Sequence, residues 1–68
     1  MLRTGEIIRI KDNLKVGNYY GSLMFNRNMQ EFCNKKLVII KSFPGMFWAK
    51  DVETQEVIAL TTEMVVLG

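Results

Sequence analysis

One stretch separates two short apolar runs and sets the terms for the rest of the chain: residues 12–36, DNLKVGNYYGSLMFNRNMQEFCNKK. It is polar, and Gly17 and Gly21 mark the points where it can turn through backbone conformations closed to other residues. Yet it carries Tyr19, Tyr20, Leu23, Met24 and Phe25, too many bulky apolar groups for a loop in water. Some of them are therefore expected to tuck against the flanking strands and close one end of a sheet. After them, Asn26 or Asn28 is placed to cap a short helix over residues 28–33. Met29, Phe32 and Cys33 fall on one side of that helix, and Lys35 and Lys36 suit its carbonyl end.

Strand patterns surround this connection. Residues 6–11 place Ile8 and Ile10 on the face of Glu6, with Arg9 and Lys11 opposite, which leaves Ile7 outward. In Leu37–Phe43, strict alternation puts Val38 and Ile40 on one face and Leu37, Ile39 and Lys41 on the other. Lys41 marks that second face as the wet one. Pro44-Gly45 is a strong turn signal. Residues 46–52 return as a third strand with Phe47 and Ala49 inward, because the opposite choice buries Lys50. A polar turn over 53–56, a strand Val57–Thr61, a tight turn Thr62–Met64 and a last short strand Val65–Leu67 complete the pattern. The expected fold is mainly β: one domain over residues 1–68, a small five-stranded antiparallel barrel of SH3-like type, whose long first connection carries a short helix.

The connection also has a recognisable spacing, D-L-x-x-G-x-x-Y-G-x-x-x-F-x-x-x-M followed by a lysine-led strand, from which it departs by one residue at Asp12-Asn13-Leu14. The residues are Asp12, Leu14, Gly17, Tyr20, Gly21, Phe25 and Met29, joined later by Thr61, Glu63 and Met64. This resembles a small SH3-like domain that recurs in proteins of Gram-positive bacteria and their phages, commonly ending in a W-T-D-E-M motif. Here Ser22 stands where a second glycine is usual, and Leu60 and Thr62 replace the tryptophan and aspartate. The resemblance spans nearly the whole chain and implies a fold and a mobile-element origin. It implies no activity, since function resides in sites and not in folds.

The 68 residues bound the chemistry more tightly than the fold. A domain of this size is near the lower limit for folding without a disulfide, a metal or self-association, so its stability must come from the apolar core. Cys33 is the only cysteine and histidine is absent, so no internal disulfide forms and a metal would need carboxylates alone, at spacings unlike a calcium loop. Cys33 has no imidazole to activate it and is expected to behave as a small buried hydrophobe. Asp51, Glu53 and Glu56 crowd one turn and read as a solvated hairpin, not as an acid–base pair. No catalytic residue, cofactor or enzymatic activity is expected. The unpaired thiol suits a reducing compartment, charged residues interrupt any signal-peptide core, and no run is long enough to span a bilayer. The expected location is the cytoplasm, with no membrane partner.

Surface aromatics are the stronger lead. Tyr19, Tyr20, Phe25 and Trp48 include the residue types with which SH3-like barrels grip extended peptides, although Tyr20 and Phe25 are expected first of all as core plugs sealing the barrel. With Phe47 and Ala49 inward, Trp48 faces out, and Leu37 and Ile39 are its expected outward neighbours. Tyr19, Trp48, Leu37 and Ile39 thus form the expected partner-binding set, suited to another protein or to a homodimer. The alternative is weak nucleic-acid binding through Lys35, Lys36, Lys41 and Arg27 together with the aromatics. Against it, the formal charge is only +2 and the basic residues cluster only at Lys35-Lys36.

Overall fold

The computed structural model describes residues 2–67; Met1 and Gly68 lie outside the described residues. The chain is mainly β. In order it forms β1 (Ile7–Ile10), β2 (Tyr19–Tyr20), β3 (Leu23–Met24), the single-turn helix α1 (Arg27–Gln30), β4 (Leu37–Phe43), β5 (Met46–Asp51), β6 (Val57–Thr61), a 3-10 turn (Thr62–Met64) and β7 (Val65–Leu67). Five strands make one antiparallel sheet in the order β6-β5-β4-β1-β7, while β2 and β3 pair separately as a hairpin. The strands β4 and β5 are joined at Pro44-Gly45, where Gly45 adopts φ 80. No helix among the described residues is long and apolar enough to cross a membrane.

Alternation decides what is buried. In β1, Ile8 and Ile10 enter the core and Ile7 stays half-buried on the other side. In β5, Phe47 and Ala49 are buried and Trp48 is exposed, as the cost of burying Lys50 requires. From the long connection, Phe25, Met29 and Phe32 pack into the same core, with Tyr20 and Leu23 against its margin. Burying aromatic and aliphatic side chains of this size is the main favourable term in a domain without an internal disulfide. The helix is shorter than the sequence pattern indicates: it starts one residue earlier and ends at Gln30. Asn26 caps it, its side-chain oxygen accepting from the Met29 amide at 2.9 Å. Turns and a left-handed Asn34, φ 67, then lead into β4.

Strand β4 corrects the sequence reading at the point that matters most. Leu37 and Ile39, expected to face outward with Lys41, are fully buried. The register explains why. Leu37 pairs with Asp51 and Ile39 with Ala49, but the next paired residue is Lys41, opposite Trp48, so Ile40 is an extra residue in a β-bulge. Alternation before the bulge is therefore opposite in phase to alternation after it. The inward half of the strand and the outward lysine are compatible because one residue goes unpaired between them.

A second feature had no clear sequence signal. Residues 19–24 form a two-plus-two hairpin around Gly21, prolonged by the bonds Gly17 N–H to Phe25 O and Phe25 N–H to Asn18 O, both 2.8 Å. Strands this short are not stable alone. Tertiary contacts hold them: the Thr61 hydroxyl donates to the Tyr20 carbonyl at 2.7 Å, and the Tyr20 hydroxyl accepts from the Lys15 amide at 2.9 Å. The Tyr20 ring meets buried Phe25 edge to face, with centroids 6.4 Å apart.

Candidate functional site

The outer face of the sheet is a continuous surface whose make-up follows from pairing. Beyond the bulge, Lys41 and Phe43 of β4 lie opposite Trp48 and Met46 of β5, and Trp48 lies opposite Ala59 of β6. Nearer the other end, Val57, Lys50, Val38 and Ile7 follow one another across four strands. These residues are half-buried or exposed, whereas their inward alternates, apart from the exposed Ser42, are buried. Lys50 is half-buried and is paired with Val38 of β4 and Val57 of β6.

At the centre of this face the aromatic groups are organised. Phe43 and Trp48 meet with ring centroids 5.4 Å apart at an interplanar angle of 66°. The Lys41 ammonium stands 5.4 Å from the Phe43 centroid and 6.0 Å from that of Trp48, within cation–π range of both. Trp48 remains 42% exposed, so its indole is held in place by neighbours yet open on one side. A cleft of about 410 Å³ lined by Leu2, Phe43, Pro44, Met46 and Thr62 borders this cluster and extends the apolar surface around the β4–β5 turn.

Charge is distributed unevenly. The outward positions of β1, β4 and β5 include Arg9, Lys41 and Lys50 but no carboxylate. The acidic residues lie elsewhere. Asp51 is buried, and Glu53 and Glu56 belong to the turn after it. Asp12, Glu31 and Glu63 lie in connections, and Glu6 precedes β1 on the inward phase.

Among the expected binding residues, the structure keeps Trp48 on the surface and places Tyr19, 70% exposed, on the separate β2–β3 hairpin opposite Met24. Leu37 and Ile39 are on the far side of the sheet from Trp48 and contribute nothing to this surface. Phe43, Met46 and Val57 replace them. The alternation of β5 and β6 locates Met46 and Val57 once the pairing is known, and Phe43 shares the face of Lys41 two residues before it in β4.

The four basic residues of the nucleic-acid reading are not brought together. Arg27 is in α1, and Lys35 and Lys36 precede β4, whose far half holds Lys41. The ammonium of Lys35 is 3.5 Å from Asp51 Oδ2. Asp51 is itself a structural group. Its Oδ1 accepts from the Glu53 amide at 2.8 Å, and its backbone bonds Gln55 and Glu56 across the turn. Its Oδ2 is buried with no hydrogen-bond partner among the described residues, so Lys35 is its main compensation. The Glu53 amide first, then the Thr54 amide and Lys35, hold its pKa below the ordinary value against the opposing effect of burial. For Cys33, burial first and the charge of Asp12 second push the thiol pKa up, away from a reactive thiolate. No cluster of three or more candidate metal ligands is found among the described residues.

Compared with known proteins, the chain matches no family model, no curated sequence and no solved structure.

Proposed function

We propose that this protein is a non-enzymatic binding module that engages a protein partner through the outer sheet face centred on Trp48. The observation that carries the reading is the composition of that face: an open indole packed on Phe43, apolar neighbours on three strands, and cations with no carboxylate among them. Aromatic residues clustered in this way are typical anchors of protein interfaces. The charge pattern favours a partner that presents apolar groups beside carboxylates and disfavours a cationic one. The fold is read as an SH3-like barrel, supported by the long first connection, the 3-10 turn before the last strand and the order β6-β5-β4-β1-β7. The resemblance to SH3-like domains of Gram-positive bacteria and their phages makes the module a phage-derived accessory protein acting on a host or phage protein. The unpaired, half-buried thiol of Cys33 fits action in the reducing cytoplasm.

The test is affinity capture from the native host with the wild type, Trp48→Ala and Lys41→Glu in parallel. A partner held by the wild type and lost by both variants supports the reading, and identical partners for all three overturn it. A second reading, nucleic-acid binding, draws on Lys41 beside the two aromatic faces, on which bases stack. Gel shifts over a salt series separate the two, because phosphate contacts weaken steeply as salt rises.

A further inference from the structure

The sheet has two edges, and only one of them is protected. Strand β7 is three residues long, a common way of blunting an edge. Strand β6, Val57–Thr61, has the sequence VIALT, with no charge and no proline, and it pairs with β5 without a register shift. It therefore lacks the usual devices that discourage pairing with another chain.

The hydrogen-bond phase shows which groups β6 offers. The Asp51 amide donates to Glu56 O at 2.9 Å, which makes Asp51 and Glu56 a bonded pair. Bonded and non-bonded pairs alternate along antiparallel strands, so Ile58 and Leu60 bond to β5 and the amides and carbonyls of Val57 and Ala59 point to the free edge. Thr61, the third such residue, is occupied at its side chain by the β2–β3 hairpin.

We propose that β6 pairs antiparallel with β6 of a second copy of this chain about a two-fold axis at Ile58, joining two sheets into one. In that register Val57 of each copy exchanges backbone bonds with Ala59 of the other. The side-chain rows then match as well. Val57, 54% exposed in the monomer, lies beside the small Ala59 of the second copy and next to that copy's Trp48, while the two Ile58 side chains meet on the core side. Charge favours this arrangement over stacking of the two outer faces. Face-to-face contact sets Lys41 and Lys50 against their equivalents, whereas edge pairing brings together strands with no charged side chain. The paired edge is smaller than the roughly 1,200 Å² of a standard interface, so the dimer is weak and depends on concentration. It leaves both Trp48-centred faces on one side of the joined sheet, and it stands whether or not those faces bind a partner.

Sedimentation across a concentration series tests this, with the wild type beside Ala59→Pro and Val57→Lys. Proline is tolerated on an edge strand where its missing amide faced solvent, so Ala59→Pro should fold, which circular dichroism checks. The expected result is a wild type whose mass rises toward that of a dimer with concentration, while both variants remain monomeric. In the wild type alone, Trp48 emission shifts and the Val57 and Ala59 amides gain exchange protection over the same range. A wild type that stays monomeric up to about 1 mM, or variants that dimerise as well as it does, overturns the proposal.

Discussion

Ile39 and Lys41 stand two residues apart in one strand yet face opposite sides of the sheet, Ile39 against Ala49 in the core and Lys41 against Trp48 on the surface. The unpaired Ile40 between them reverses the alternation. This bulge allows an apolar strand to complete the core with its first half and to build a cationic aromatic surface with its second.

Ile39→Ala is therefore expected to cost about 2–5 kcal/mol, the usual range for emptying a buried aliphatic site. Lys41→Ala should cost no more than about 1 kcal/mol, because Lys41 is exposed and loses only surface cation–π contacts with Phe43 and Trp48. Urea unfolding of both variants measures the difference, and equal losses would mean that the two residues share a face.

Gly21 adopts φ 69, and a Cβ built there lies 3.2 Å from Thr61 Cβ. Gly45 has φ 80, but among the described residues no atom beyond its chain neighbours lies within 4 Å of such a Cβ. Gly45→Ala should incur backbone strain alone, roughly 1–2 kcal/mol. Gly21→Ala should lose more, since the added methyl also pushes the hairpin off Thr61. Thermal unfolding of the two variants ranks them, and the reverse order contradicts the docking of the hairpin on β6.

Asp51 predicts an acid-sensitive fold. Its folded pKa lies below the ordinary value, chiefly through the Glu53 amide. Its contribution is thus fully present above the unfolded carboxylate value of about 3.9 and is lost as pH falls through the folded pKa. The stability gap between the wild type and Asp51→Asn should be widest near neutrality and should narrow below about pH 4. Denaturation midpoints at several pH values test this, and a gap independent of pH removes the carboxylate charge from the account.

For Cys33 the opposite sign holds. Burial and the nearby Asp12 raise its thiol pKa, so less thiolate is present at neutral pH than in a free cysteine. Alkylation by iodoacetamide should be slow at pH 7 and its pH profile displaced upward. Asp12→Asn should move that profile part of the way back, by a smaller amount than full unfolding does.

Much of this molecule was decided locally and could be read from the chain. Leu37–Phe43, Val57–Thr61, Thr62–Met64 and Val65–Leu67 appear where apolar runs and turn residues place them, because β-propensity and turn chemistry act over a few residues. The outward Trp48 was legible too, since the alternative phase buries Lys50. Tertiary structure decided what depends on a partner strand. The bulge at Ile40 exists only in register with β5, and two-residue strands at Tyr19 and Leu23 persist only through bonds such as Thr61 to Tyr20. The gathering of Phe43, Met46, Val57 and the lysines around Trp48 follows from pairing across strands far apart in sequence. Alternation along one strand assigns sides, but only the hydrogen-bonded register between strands determines which residues share a surface.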